Sequence, residues 1–369
     1  MTPGKLHKIS WKASVVLDAM RLSAAMLVFL HHVYSIWFND VVGDKLVSIA
    51  HYSVVIFFVL SGYLIAYTTA NNNRGVIQYA QSRLGRLYSI LLPALFITAI
   101  CQLTIFYTNP AVHEHFSRPP VALRYGLSAV FLNEVWFLSA APAINSPLWS
   151  MSYEFWYYVI FGLWFFLKKS WLSYVIILGA ILVAGPSILA MMPIWIMGCL
   201  AYKMRRLQIS NKTAWLLFLL GMSASLLLLE VLPSMPFAMG QAPLHFANQF
   251  VTDIIIGFFV AVALFGISHI RVNTQAPSSI ISFRKIADLT FPLYLLHYPL
   301  LVLWQSFFAT EKGNIIQFGI AVICILSVIV VLGLFLESKR NWWNNIIGYL
   351  LKSISNIRFI KTRHAQAIK

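Results

Sequence analysis

The sequence predicts an all-α, polytopic integral membrane protein with about ten transmembrane helices. Only 10% of its 369 residues are charged and 60% are apolar, whereas soluble domains carry roughly a quarter charged residues. Apolar runs close to the ~20 residues that span a bilayer recur from Val15 to Leu336. Lysine and arginine are concentrated in every second loop. These three observations favour one membrane domain over several soluble ones.

The predicted spans follow from cutting the sequence at charged and turn-forming clusters. They cover residues 15–38, 49–69, 87–108, 148–167, 172–189, 191–204, 214–232, 250–267, 289–308 and 315–336. A further apolar run, 122–138, contains Arg124 and Glu134, which favours an interfacial or re-entrant helix there. The resulting division is an amino-terminal segment of residues 1–14, a transmembrane domain of residues 15–337 and a basic tail of residues 338–369.

The basic residues also predict the orientation, because short cytoplasmic loops are enriched in lysine and arginine. With the amino terminus inside, inner segments hold 22 of these residues, outer loops hold 4, and Arg21 lies within the first span. Both termini are therefore predicted to be cytoplasmic. Insertion topology and attraction to anionic lipids account for the net charge of +16, so nucleic acid is not an expected partner.

Common soluble or metal-dependent chemistries find little support in the sequence. Cys101, Cys199 and Cys324 lie in separate apolar spans without metal-ligand spacing, so neither a disulfide nor a metal is expected. The lack of a phosphate-binding GxxxxGK[ST] loop argues against an ATP-driven pump. The first apolar run exceeds the usual length of a secretory signal and is expected to remain as an anchor.

Polar residues inside the spans carry the functional signal, because ionisable groups in hydrocarbon are costly. Arg21 and His32 are eleven residues apart, or three helical turns plus about 20°, so they share one helix face roughly 16 Å apart. His31 lies about 80° away from the Arg21 direction. From spacing alone, Arg21 could instead snorkel to lipid phosphate and His32 could cap a neighbouring carbonyl.

Four more segments add polar groups at membrane depth. They are FFVLSG at 57–62, RLGR at 83–86, WSMSYE at 149–154 and YLLH at 294–297. The second predicts an arginine pair on one helix face beside the inner surface. The third places Glu154 about one turn below the outer surface, and the fourth places His297 near the midplane. Simple packing or topology roles remain open for Ser61 and for the arginines.

These five segments, taken in this order, resemble the acyltransferase three family of membrane O-acyltransferases over roughly residues 17–337. Two departures concern helix ends. Ser89 stands where the family usually has proline, and Glu337-Ser338-Lys339 replaces its usual E-x-P. We expect none of this sequence to form the SGNH esterase-like domain that is fused to some relatives.

The resemblance implies transfer of an acyl group, most often acetyl, from cytoplasmic acyl-CoA to a hydroxyl of a cell-surface or lipid-linked glycan such as O-antigen or exopolysaccharide. The implied location is the bacterial cytoplasmic membrane, with membrane lipids, the glycan and acyl-CoA as partners. The implied site residues are His32, Glu154 and Arg21 for catalysis, Arg83, Arg86 and Arg21 for donor binding, and Ser61, Trp149, Ser150, Tyr153 and His297 for substrate binding.

Physical chemistry is compatible with these roles. Arginines at the inner mouth suit CoA phosphates, and a neutral His32 can take the proton of an attacking hydroxyl. Glu154 is expected to orient the His32 imidazole, as a triad carboxylate does. Direct transfer and an acyl-histidine intermediate both remain open, as do the acceptor, the acyl length and the oligomeric state.

Two other classes of protein remain as alternatives. A secondary transporter would use the same intramembrane charges as a proton relay. The ordered motifs and the lack of inverted halves argue against it. An inactive assembly or polysaccharide-export partner would keep the spans and show no turnover.

Overall fold

The computed structural model describes residues 9–42, 45–71, 75–272 and 274–366, without side chains for 39–48 and 354–366. Residues 1–8 of the predicted amino-terminal segment and 367–369 of the predicted tail lie outside the described residues. The helices are α1 Trp11–Val42, α2 Lys45–Asn71, α3 Val76–Thr108, α4 Pro110–Phe116, α5 Val121–Ala129, α6 Trp149–Phe166, α7 Trp171–Met204, α8 Asn211–Val231, α9 Phe250–Ser268, α10 Ser279–Asp288, α11 Thr290–Phe307, α12 Ile315–Ser338 and α13 Arg340–Gln366. The predicted all-α class is confirmed.

Within the described ranges, eight helices are long and apolar enough to cross a membrane, so the polytopic prediction is confirmed. That number counts α7 as one helix and leaves out α6. Helix α6 has 18 residues and is roughly 27 Å long, which is close to the ~30 Å thickness of the hydrocarbon core. The ten predicted spans therefore correspond to nine helices: α1, α2, α3, α6, α7, α8, α9, α11 and α12. The difference arises in α7, which contains both the fifth and the sixth predicted span.

Helix α7 changes direction at Gly185, whose φ of 77° is in the left-handed region that favours glycine. Before α7 begins, the Phe166 ring lies 5.3 Å from Tyr79 near the start of α3. Near its end, Tyr202 accepts a 3.3 Å hydrogen bond from Asn71 at the end of α2. Since α2 and α3 meet through a short connection, both ends of α7 lie at the same end of the bundle. The two halves of α7 thus correspond to the two predicted spans.

We name this end of the bundle the basic end, because Lys168, Lys169 and Lys203 lie beside the helix ends that meet there. Arg83 and Arg86 were predicted to precede the third span. In the structure they lie inside α3, which begins earlier, at Val76. The helix continues because no proline or glycine interrupts residues 76–84.

The segment between α4 and α6 is re-entrant rather than interfacial. Tyr125 donates a 2.7 Å hydrogen bond to Gln102 on α3, and the Phe131 ring lies 5.3 Å from Tyr88 on the same helix. Gln102 and Tyr88 are about 21 Å apart along α3. The chain then returns to the level of Thr98, which accepts a 2.9 Å hydrogen bond from Asn145.

Two glycines let α2 and α7 approach closely. A β-carbon on Gly62 would overlap the Trp195 carbonyl, and one on Gly198 would overlap the Val59 carbonyl. Such small residues commonly allow close helix contact in membranes. This contact holds the FFVLSG segment of α2 firmly against the second half of α7. The serine of that segment, Ser61, consequently lies between α7 and α6: it accepts a hydrogen bond from Trp195 on α7 and donates one to Glu154 on α6.

Most of the predicted basic tail is helical, because α13 covers Arg340–Gln366. Gln81 on α3 donates a 2.9 Å hydrogen bond to the Asn344 carbonyl of α13, and Gly85 faces Asn344 closely. Helix α13 therefore packs across the part of α3 that carries the arginine pair.

Candidate active site

Two cavities lie in series inside the bundle. The arginine cavity, lined by Arg21, Arg83, Arg86 and Glu154 among others, has an empty volume of about 730 Å³ that includes open solvent. The histidine cavity has an empty volume of about 450 Å³, which also includes open solvent. Its lining includes His31, His32, His51, Trp149 and Phe246. Val54 and Tyr294 line both cavities. The two spaces therefore adjoin each other, with these two side chains between them.

The arginine cavity is cationic. It brings together Arg21 from α1 and the Arg83–Arg86 pair from α3, with Glu154 from α6 as the carboxylate in its lining. Arg83 donates a 2.7 Å hydrogen bond to Thr68 on α2, which fixes the guanidinium at the wall. Three guanidinium groups around one carboxylate suit a polyanionic ligand.

Glu154 belongs to the arginine cavity and not to His32. Its carboxylate accepts hydrogen bonds from Ser61, at 3.0 Å, and from Tyr158. Among the described residues, no hydrogen bond or ion pair joins Glu154 to His32. The expectation that Glu154 orients the imidazole is therefore not supported. The physical reason is that Glu154 lies about 7.5 Å further along α6 than Trp149, which is the α6 residue that lines the histidine cavity.

Tyr294 forms the partition between the two cavities. Its hydroxyl donates to the Pro147 carbonyl at 3.0 Å and lies 2.8 Å from the Ser150 hydroxyl. Tyr294 is thereby held to the start of α6 from its position on α11. Ser150, predicted to bind substrate, lines the arginine cavity and holds this tyrosine.

His32 lies in a group of aromatic rings on one side of the histidine cavity. Its ring stacks on His297 at 5.3 Å and meets the edge of Tyr298 at 4.9 Å. His297 is fully buried and lies behind His32 rather than on the cavity wall. The His297 Nδ1 lies 3.0 Å from the Leu293 carbonyl, which can only accept, so its Nε2 carries the lone pair when the ring is neutral.

His31 lines the same cavity as His32, although its direction differs by about 100° around the helix. Its ring centroid lies 4.9 Å from that of His32. The cavity is broad enough for both side chains to reach it. Sharing the Arg21 face therefore does not by itself distinguish His32 from His31.

Trp149 and Tyr153, both predicted to bind substrate, differ in whether they line a cavity. The Trp149 ring lines the histidine cavity and stacks on Phe246 at 4.6 Å. Tyr153 is fully buried, with its ring 5.0 Å from Trp149 and 6.0 Å from Phe58. Neither cavity includes Tyr153 in its wall. The structure thus gives Tyr153 a packing position rather than a substrate-binding one.

One pair of residues in the histidine cavity was missed from the sequence. His51 Nε2 lies 2.8 Å from Asp253 Oδ2, and both side chains are only 2% exposed. They are 202 residues apart, so no local pattern joins them. The available signal was that each is an ionisable residue inside a predicted span, 49–69 or 250–267.

A third space adjoins the histidine cavity on the side away from the basic end. This outer groove has an empty volume of about 880 Å³, again including open solvent, and shares Ser146 and Phe246 with the histidine cavity. Its lining includes His115, Arg118 and Arg124. The histidine cavity thus lies between the arginine cavity and the outer groove.

The fold and these adjoining cavities define the class: a polytopic membrane enzyme whose ionisable groups line a series of cavities inside its helix bundle. Residues 15–336 match the family model described as an acyltransferase domain, acyltransferase 3. The chain therefore belongs to the acyltransferase 3 family and is an acyltransferase, and the resemblance predicted from the motifs is confirmed.

A relative that is named for its activity supports O-acyl transfer. The chain is similar to a protein named O-acetyl transferase from Shigella phage Sf6, with 28% identity over 169 residues. That match covers 44% of this chain and 49% of the relative, so the chain spans about half of the relative that it matches. No solved structure matches this chain.

Proposed function

We propose that this protein transfers an acyl group, most simply acetyl, from cytoplasmic acyl-CoA to a hydroxyl of a cell-surface or lipid-linked glycan. The proposed location is the bacterial cytoplasmic membrane, with the basic end of the bundle facing the cytoplasm. One observation carries this proposal: the arginine cavity and the histidine cavity share Val54 and Tyr294. An anionic donor at one end can thereby meet an acceptor that arrives from the other.

The donor side is supported by charge. CoA carries a diphosphate and a 3′-phosphate, and Arg21, Arg83 and Arg86 surround the cavity nearest the basic end. Charge-assisted hydrogen bonds from guanidinium groups to phosphate are strong and directional. With the nucleotide held there, the slender pantetheine arm can pass Tyr294 and bring the thioester carbonyl to His32.

The acceptor side is supported by the outer groove. Its histidines, arginines and aromatic rings, which include His115, Arg118, Phe246 and Tyr298, suit a sugar that carries acidic groups. Because Phe246 also lines the histidine cavity, a hydroxyl of this sugar can reach the thioester. We therefore expect an acidic glycan or a phosphate-linked glycan as the acceptor.

At the meeting point, the acceptor oxygen forms a bond to the carbonyl carbon and the carbon–sulfur bond breaks. The hydroxyl proton passes through a histidine to the sulfur, so the products are an O-acyl glycan and free CoA thiol. General acid–base help of this kind contributes about 10²–10⁴-fold. His32 serves this centre either as a proton acceptor or as a nucleophile that is acylated first.

Purified protein given [¹⁴C]acetyl-CoA tests this proposal when combined with mass spectrometry of envelope glycans from cells with and without the gene. We expect release of CoA thiol by the protein, and acetyl esters on a glycan only in cells that carry the gene. Unchanged glycans together with intact acetyl-CoA would contradict the proposal. Movement of the glycan without acetyl-CoA consumption would instead identify a transporter.

A further inference from the structure

His51, on the wall of the histidine cavity, forms a buried histidine–carboxylate pair with Asp253, which lies outside that wall. The 2.8 Å contact uses His51 Nε2, and a carboxylate oxygen accepts, so this nitrogen donates. In the neutral ring, Nδ1 then carries the lone pair. Gln249 fixes the other carboxylate oxygen by donating a 3.2 Å hydrogen bond to Asp253 Oδ1. Such a carboxylate sets the tautomer of a histidine and stabilises its protonated form.

His51 lies nearer to the outer opening than His32. Helix α1 ends at Val42, ten residues beyond His32, and α2 begins at Lys45, six residues before His51. Those lengths correspond to roughly 15 Å for His32 and roughly 9 Å for His51, measured from the adjoining helix ends. By this measure, His51 lies closer than His32 to the outer end of its own helix.

The ring contacts around His51 lead toward the outer groove. The His51 ring stacks on Trp149, with centroids 6.0 Å apart and planes 10° apart. Trp149 in turn stacks on Phe246 at 4.6 Å, and Phe246 lines both the histidine cavity and the outer groove. The His32 ring also leads to the outer groove, through Tyr298 at 4.9 Å, but it packs on His297, and no carboxylate contacts it among the described residues. The two histidines thus have different partners within one cavity.

We propose that His51, held by Asp253, is the general base that takes the proton of the acceptor hydroxyl, while His32 acts on the thioester. This assignment rests on the proposed function. His51 Nδ1 takes the hydroxyl proton as the oxygen attacks the acyl carbon. The bond from that carbon to its leaving atom then breaks; this atom is the CoA sulfur in direct transfer and the His32 nitrogen when His32 is acylated first. The His51 imidazolium returns the proton to that atom, so His51 ends in its starting protonation state. Asp253 is a positioning residue that acts through His51.

The test compares two acceptors that differ in their need for a base. Membrane vesicles that contain the protein and the native envelope glycans receive [¹⁴C]acetyl-CoA, with or without hydroxylamine. Glycan hydroxyls need deprotonation, whereas neutral hydroxylamine attacks an acyl group without it. We expect His51→Ala to lower glycan acetylation by about 10²–10⁴-fold and to leave acetohydroxamate formation at the wild-type level. Asp253→Asn should act in the same direction, and His32→Ala should abolish glycan acetylation and lower acetohydroxamate formation to the rate measured in vesicles without the protein.

Tyr52→Phe is the matched control, because it removes the 2.6 Å contact with Ser225 at the residue next to His51 and outside the cavity wall. It should change neither product. Normal glycan acetylation in His51→Ala would overturn the inference and leave the proposed function intact. Equal loss of both products in His51→Ala and Asp253→Asn would also overturn it, because a base for the hydroxyl alone cannot cause that loss. A wild-type protein that forms neither product would refute the proposed function itself.

Discussion

Ser61 on α2 donates a 3.0 Å hydrogen bond to Glu154 on α6, so the FFVLSG and WSMSYE segments meet inside the arginine cavity. Trp195 from the second half of α7 donates a 3.2 Å hydrogen bond to the same serine. This contact holds Glu154 in the wall of the arginine cavity, which is the proposed donor site. The carboxylate offsets part of the charge of three arginines, and the two motifs together shape the cationic cavity.

Replacing Glu154 by Gln should tighten CoA binding. The change removes a negative charge from a cavity lined by Arg21, Arg83 and Arg86, and a charge pair near water is worth about 1 kcal/mol, or roughly fivefold in affinity. Calorimetric titration of CoA at low and high salt measures this, with the gain shrinking at high salt. Ser61→Ala keeps the charge and serves as the control. Weaker binding by Glu154→Gln would show that the carboxylate positions the arginines instead.

Replacing Arg83 and Arg86 together by Ala should weaken CoA binding. Hydrogen bonds to charged groups contribute about 1.5–3 kcal/mol each, so the affinity should fall at least tenfold. The control is Lys168→Ala with Lys169→Ala, which removes the same charge at the basic end outside the cavity. Equal affinity in the arginine variant and the wild type would reduce this pair to a topology signal.

Replacing Gly62 by Ala should destabilise the protein, because the new β-carbon would overlap the Trp195 carbonyl. Overpacking typically costs about 1–3 kcal/mol, and here the obstacle is backbone. Thermal unfolding in detergent, followed by retention in size-exclusion chromatography, measures the loss. Gly126→Ala is the control, since its β-carbon would meet nothing within 4 Å. Equal stability of the two variants would contradict the close contact of α2 with α7.

Reporter fusions test the reversal of α7 at Gly185. Fusions after Lys169 and Lys212 should both report the cytoplasm, because the two ends of α7 lie at the same end of the bundle and carry basic residues. Fusions near Pro119 and Lys312 should report the outside. Opposite signals at Lys169 and Lys212 would show that α7 crosses the membrane once.

Most of the helices could be predicted from the sequence, because the cost of burying charge in hydrocarbon limits where a span can end. Helix α3 shows where this argument fails. Arg83 and Arg86 fall within it, since a cavity filled with solvent or ligand removes the cost. The break inside α7 was predicted at residue 190, between the fifth and sixth spans, but it lies at Gly185, whose φ is 77° and which packs closely against Trp136 of the re-entrant segment.

The candidate site could be predicted only in part from the sequence. Each motif is local, so its residues could be found, but their mutual arrangement depends on helix packing. Spacing placed Arg21 and His32 on one face, and each lines one of the two adjoining cavities. It could not show that Glu154 faces the arginines rather than His32, nor that Asp253 on α9 lies beside His51 on α2.

The most direct test of the account measures [¹⁴C]acetyl transfer from acetyl-CoA to envelope glycans in membrane vesicles carrying wild-type, His32→Ala or His31→Ala protein. Transfer should disappear in His32→Ala, at normal expression and insertion, and largely remain in His31→Ala, whose ring lines the cavity but lacks the stacking contact that His32 makes with His297. Near-normal transfer by His32→Ala would contradict the central claim that the acyl group passes His32 on its way to the glycan.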